Sequence, residues 1–198
     1  MNDQDLFPIE PDALERLHAR LEVSAAEARL LDVAYRIIDT PVGQLLLAAT
    51  DRGLLRVAFE REGFDEVLQT LATRVSPRIL HSPSRLDQAT SQFEEYFAGR
   101  LHHFDLPLDH RLSSGFRQKV QQYLPRIDYG HTLSYRQVAE QVGSPNATRA
   151  VGTACATNPL PVVVPCHRVL RSDGHLGGYI GGLEAKSALL TLEGAGSR

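Results

Sequence analysis

Residues 158–169 read Asn-Pro-Leu-Pro-Val-Val-Val-Pro-Cys-His-Arg-Val, and three prolines within seven positions constrain the fold more than any other feature of the 198-residue chain. Each proline fixes its own φ, lacks an N–H and pushes the preceding residue away from the helical region. No regular helix can therefore pass through Pro159, Pro161 and Pro165. The expectation is that Val162, Val163 and Val164 run extended and deliver Cys166 to a fixed place. Thiolate is the reactive form of cysteine, and an ordinary thiol pKa of about 8.5 calls for a neighbouring base or positive field at neutral pH. His167 can be that base if the chain turns after Cys166, because in a continuous strand the two side chains would face opposite ways.

Cys155 and Cys166 are the only cysteines, too few for a disulfide framework or a four-thiolate zinc module. No metal and no cofactor is expected, and any thiol chemistry rests on one of the two. No apolar run approaches the roughly 20 residues that span a bilayer. Met1 to Glu10 carries three acids and no base, unlike a secretory signal. The chain is expected to be cytoplasmic, with no membrane partner. Its net charge of −3 hides an asymmetry: residues 1–110 hold 11 basic against 19 acidic side chains, and residues 111–198 hold 10 against 5. A polyanion, if one binds, would meet the back half.

The pattern along the chain predicts an α/β protein: a small N-terminal antiparallel sheet with helices, followed by a mostly helical domain containing a helix-turn-helix. Three parts are expected, 1–32 as an N-terminal helical extension, 33–110 as the sheet-and-helix unit and 111–198 as the unit carrying the chemistry. Leu14, Leu17, Leu21, Ala25, Ala28 and Leu31 recur at helical spacing behind Pro11-Asp12. Tyr35–Ile38, Gln44–Ala49 and Leu54–Phe59 are short apolar runs between turn residues, which predicts an antiparallel meander. Helices are predicted over Phe64–Arg74 and Leu86–Gly99, the second behind a Ser84-x-x-Asp87 cap, and a strand over Phe104–Leu108.

In the back half Phe116, Val120, Tyr123 and Leu124 mark a helix. Ser134-x-x-Gln137 is a capping box for the next one, which Gly143 closes. A second short helix is predicted from Ser144 as N-cap and Pro145 at the first position, with Ala147, Ala150, Val151 and Ala154 on its apolar face. Asn146, Arg149 and Thr153 fall on the exposed side. Two short helices around a glycine turn are a helix-turn-helix candidate; by spacing alone an αα-hairpin packed in a core fits equally. Farther on, Gly174, Gly177, Gly178, Gly181 and Gly182 surround Tyr179, a loop whose backbone can approach a flat ligand. It matches neither a phosphate loop nor a dinucleotide fingerprint.

These motifs together resemble the O6-alkylguanine-DNA alkyltransferase family. The matching residues are Pro165-Cys166-His167-Arg168-Val169, Asn158-Pro159, Ser134-Tyr135, Arg149-Ala150-Val151-Gly152, Gly177 to Leu183 with Lys186, and Glu193-Gly194. The match runs from about Phe116 to Gly194; the front unit resembles the family far more weakly.

The resemblance implies DNA repair by irreversible transfer of an alkyl group from O6-alkylguanine in duplex DNA to Cys166, by a monomer that acts once. It implies His167 as the base, acting through a water, Glu193 orienting the imidazole, and Asn158 tying the helix-turn-helix to the reactive segment and supporting the thiolate. Tyr135 would donate to guanine N3, with Lys186 holding Tyr135. Pro161, Tyr179 and Gly181 would wall the base pocket, and a flipped nucleotide would be replaced by Arg149, with Asn146, Ala147, Ala150 and Thr153 near the DNA. Gln121 departs from the family, standing where many relatives carry tryptophan, and Cys155 is expected to be a packed structural residue. The competing readings are a helix-turn-helix damage sensor or regulator without transferase activity, and a papain-like thiol hydrolase. The first would lack the acceptor cysteine; for the second the order of His and Asn is wrong.

Overall fold

The structure, a computed structural model, describes residues 11–28 and 30–195. The three apolar runs form the expected antiparallel meander as Val33–Ile38 (β1), Leu45–Thr50 (β2) and Gly53–Phe59 (β3). Alternation along β2 sends Leu46 and Ala48 to one face, against Val67 and Leu71 of the helix Phe64–Arg74 (α2). Leu45 and Leu47 face the other way, into a core shared with Phe93 and Tyr96 of the helix Asp87–Phe97 (α3) and with Val120, Leu124, Val138 and Val151 of the back half. The two halves thus close over one continuous apolar interior. Gly53 is required at the β2–β3 turn: its φ is +129° and a Cβ there would run into the Pro107 backbone.

Three front-half details differ from the sequence reading, while the expected N-terminal helix forms. Ile79–His81 (β4) adds a parallel strand beside β1, giving the order β3-β2-β1-β4; three residues carry no periodicity to reveal it. Phe104–Leu108 forms no strand. Its backbone makes a single bridge at Leu54–Leu108, held by the Leu54 N–H on the Pro107 carbonyl (2.8 Å) and the Asp109 N–H on the Leu54 carbonyl (2.9 Å). The Ser84 cap does not form, because Pro83–Leu86 is a separate 3₁₀ turn and α3 begins at Asp87 without a side-chain cap. The N-terminal helix is Pro11–Glu27 (α1), but Leu14, Leu17 and Leu21 are 58, 58 and 52% exposed. It meets the sheet through His18 Nε2, which donates to the His81 carbonyl at 2.6 Å.

The back half contains Gly115–Tyr123 (α4), Tyr135–Gln141 (α5), Thr148–Ala156 (α6) and Gly182–Leu192 (α7), with a parallel two-residue pair, Leu133–Ser134 (β5) and Val169–Leu170 (β6). The capping box forms as predicted: Ser134 accepts from the Gln137 N–H and Gln137 accepts from the Ser134 N–H. The second helix starts later than predicted. Ser144-Pro145-Asn146-Ala147 is a turn closed by the Ala147 N–H on the Ser144 carbonyl, a setting that suits serine and proline as well as a helix start does. α6 then begins at Thr148 with Ala147 as N-cap. Its buried face is Val151, Ala154 and Cys155, so Ala150, placed with the apolar face on sequence grounds, is exposed. Gln121 is buried on α4 and donates to the Ala154 carbonyl (3.0 Å), binding α4 to α6 at the position that departs from the family pattern.

Candidate active site

The valine segment is not extended. The Val164 N–H bonds the Leu160 carbonyl (2.8 Å), and the chain folds into a turn in which Val162 takes φ +74°, a conformation costly for a β-branched residue. The prolines do exclude a helix, but the compact turn lets Asn158 lie against the residues that end the segment. Asn158 Nδ2 donates to the Val164 carbonyl (2.8 Å) and to Cys166 Sγ (3.2 Å), and its Oδ1 accepts from the Leu160 N–H (3.1 Å). Cys166, His167 and Arg168 then form a 3₁₀ turn, the change of direction required if thiol and imidazole are to cooperate.

Cys166 is 1% exposed, and burial pushes its thiol up to about 11 against the opposing influences of Asn158 and Lys186. At neutral pH the resting thiol therefore keeps its proton, and a base must remove it during reaction. His167 Nε2 lies 2.9 Å from Glu193 Oε1. A carboxylate accepts only, so Nε2 carries the ring hydrogen and Nδ1 the lone pair. Nδ1 is buried and bonds no protein group, which leaves it free to accept a proton. Burial holds the imidazole below its ordinary pKa, although Glu193 opposes this, so His167 is neutral at rest.

Glu193 follows α7 and its side chain is fully buried. Arg168 grips it with Nε on Oε2 (2.8 Å) and a terminal nitrogen on Oε1 (2.9 Å), while its other nitrogen donates to the Ile127 carbonyl (2.5 Å). Tyr96 of α3 donates to Oε1 at 2.6 Å. Burial alone would raise the Glu193 pKa; the donors from His167, Arg168 and Tyr96 outweigh it and bring it down to about 2. The sequence reading assigned Glu193 but gave no role to Arg168 or Tyr96. Arg168 lies inside the Cys-His motif and could have been found there; Tyr96 is one more aromatic in a helical stripe 97 residues from its partner.

The remaining expected residues divide. Tyr135 begins α5 and is half-buried, with burial lifting its pKa to about 12, and a Cβ on Gly177 would collide with its ring. Tyr179 packs edge-on against Phe59 of β3, at 5.7 Å, and against His167, at 6.4 Å, and its hydroxyl is buried without a partner. Gly181 abuts the same Phe59 ring, and Pro161 is buried. Lys186 does not hold Tyr135 by a hydrogen bond. It is fully buried and donates to the carbonyls of Val169 (2.6 Å) and Gly177 (3.5 Å), passing over the Tyr135 ring at 6.0 Å. On α6, Arg149, Ala150 and Thr153 are exposed, Asn146 is exposed in the turn before it, and Ala147 is half-buried. Cys155 is buried beneath them, with its thiol pKa pushed up by burial.

The front half touches the reactive segment directly. The Val57 N–H of β3 (2.9 Å) and Arg56 (3.1 Å) both donate to the Pro159 carbonyl, and Arg56 is ion-paired with Glu62. A cleft of about 400 Å³ opens here between Arg56, Glu62, Arg117, Asn158, Pro159 and Ile180. Asn158, which donates to the sulfur, lines this cleft; Cys166 itself does not. Among the described residues no group of His, Cys, Asp and Glu could hold a metal ion, and no helix is long and apolar enough to cross a membrane.

Comparison with known proteins returns two family matches, 6-O-methylguanine DNA methyltransferase, ribonuclease-like domain, over residues 33–110, and the DNA binding domain of the same family over residues 115–195. A methylated-DNA–protein-cysteine methyltransferase from Mycolicibacterium paratuberculosis is 42% identical over 161 residues, 81% of this chain and 92% of that protein. The constitutive enzyme of that name from Bacillus subtilis is 39% identical over 163 residues, 80% of this chain and 94% of that protein. The solved structure of the Mycobacterium tuberculosis O6-methylguanine methyltransferase superposes with a TM-score of 0.72 at 38% identity, covering 84% of this chain and 95% of the other. A second structure of that protein, in complex with DNA, gives 0.71 at 39%, over 82% and 93%.

Proposed function

The chain belongs to the methylated-DNA–protein-cysteine methyltransferase family, and on that premise we propose that Cys166 accepts the alkyl group of an O6-alkylguanine in double-stranded DNA. The sulfur attacks the alkyl carbon in line with its bond to O6. A carbon–sulfur bond forms as the carbon–oxygen bond breaks, and the bonding electrons pass to the guanine ring. The thiol proton leaves through a water to His167 Nδ1, and the ring receives a proton in turn, with the Tyr135 hydroxyl donating toward N3 as charge arrives there. The products are guanine and a protein thioether, which no reductant reverses, so each molecule acts once.

The observation that supports this reading is the two contacts Asn158–Cys166 and His167–Glu193: a thiol held by an amide and, on the next residue, an imidazole whose free lone pair is set by an ionised carboxylate. A stacked, paired base cannot be attacked at O6. Flipping the nucleotide costs a few kcal/mol, which Arg149 offsets by filling the gap it leaves. The small exposed residues Ala150 and Thr153 suit α6 to a narrow groove, with Asn146 and Ala147 at its rim. Pro161, Tyr179 and Gly181 wall the base, and buried Lys186 braces the glycine loop from behind through the Gly177 carbonyl. Division into 1–32, 33–110 and 111–198, action as a monomer, and a cytoplasmic location complete the reading.

Incubation with O6-benzylguanine followed by intact and peptide mass spectrometry is the test. One benzyl increment on the peptide containing Cys166, with guanine released, is expected. An unmodified wild-type protein would refute the assignment.

A further inference from the structure

We infer that Tyr96, contributed by the front half of the chain, is a positioning residue for the alkyl-transfer site, setting the proton affinity of His167 through the carboxylate they share. This rests on the reading of Cys166 and His167 given above and extends it to the front half of the chain. The Tyr96 hydroxyl, His167 Nε2 and a terminal nitrogen of Arg168 converge on one oxygen, Glu193 Oε1, at 2.6, 2.9 and 2.9 Å. Tyr96 is wholly buried, and burial pushes its pKa up, so at any working pH it keeps the proton it donates to the carboxylate. Each donor drawn to that oxygen takes up part of the negative charge that would otherwise stabilise an imidazolium. Tyr96 therefore keeps His167 a weaker base, and more fully neutral, than the carboxylate alone would allow.

The groups around the imidazole are Glu193 after α7, Arg168 on its own turn, Lys186 of α7, and Tyr179 of the glycine loop. Tyr96 itself faces Glu193, Arg168 and Tyr129. Only Glu193 is anionic among them, so loss of the Tyr96 donor leaves its Oε1 charge to be shared by His167 and Arg168 alone. The ring of Tyr96 packs on Phe97, Phe104 and Tyr129, contacts that phenylalanine preserves.

Tyr96→Phe should raise the His167 pKa by about half a unit to one unit, read by NMR titration of the imidazole in the whole protein. Because neutral His167 is the reactive form, the acid limb of the pH profile for O6-benzylguanine transfer should move up by the same amount, with the rate at pH 8 within about twofold of wild type. In a Glu193→Gln background the same substitution should move neither. An unmoved titration in the single variant, with the rate unchanged or scaled equally at every pH, would overturn the inference, as would an equal shift in the glutamine background. If the wild type takes up no benzyl group while the titration still shifts, the transferase reading falls and the control of the imidazole by Tyr96 stands.

Discussion

Replacement of Glu193 by glutamine should remove the part of the acid dependence of stability that this carboxyl supplies. The native carboxyl is held at about 2 against an ordinary 4.5, a difference of about 2.5 units, which corresponds to about 3 kcal/mol of stability above pH 4.5. Because the native pKa is the lower one, the unfolded chain takes up this proton first. The contribution is whole above pH 4.5 and is lost as pH falls from 4.5 toward 2. Glutamine removes it at every pH and leaves Arg168, 6% exposed, without its counterion, so the deficit at pH 7 should be roughly 3–5 kcal/mol. Burial also holds His167 below its usual pKa, which adds acid sensitivity from pH 6.5 downward in the same direction. Urea unfolding followed by circular dichroism at pH 7 and 3.5 measures the gap between the two proteins. The share of the gap due to the carboxyl should narrow by roughly 1 kcal/mol over that interval, because pH 3.5 lies below the unfolded carboxyl pKa. A gap that is equal at both pH values, or below about 1 kcal/mol at pH 7, would refute the idea that the carboxylate is ionised, buried and held by its donors.

Two further outcomes follow from the geometry. Arg149→Ala should leave reaction with free O6-benzylguanine within about twofold of wild type while slowing repair of an alkylated duplex tenfold or more, an effect of about 1.4 kcal/mol; equal losses on both substrates would exclude a flipping role. Val162→Gly should be at least as stable as Val162→Ala in thermal or urea melts, reversing the usual penalty of about 0.5–1 kcal/mol for glycine, because φ is +74° there; a less stable glycine variant would show that the backbone carries no strain at that position.

What was legible in the sequence was what short-range chemistry determines. The capping box at Ser134 and Gln137, the meander runs and the helix Phe64–Arg74 each follow from neighbours in the chain, and all appear as read. Ser144-Pro145 misled because the same pair serves a helix start or a turn, and the choice depends on where Val151 and Ala154 must pack. The valines misled because proline excludes a helix without dictating an extended chain; the turn at Val162 is selected by Asn158, whose three hydrogen bonds close it. Tyr96 was illegible for another reason. Its partner lies 97 positions away, and nothing in an aromatic helical stripe announces which ring carries a hydroxyl that will be used.

Asn158 follows the end of α6 by two residues and fastens the Leu160, Val164 and Cys166 atoms to itself with a single amide. Those three bonds reduce the path from helix to sulfur to one side chain. A movement of α6 is therefore handed on to the thiol instead of being absorbed in the loop that separates them.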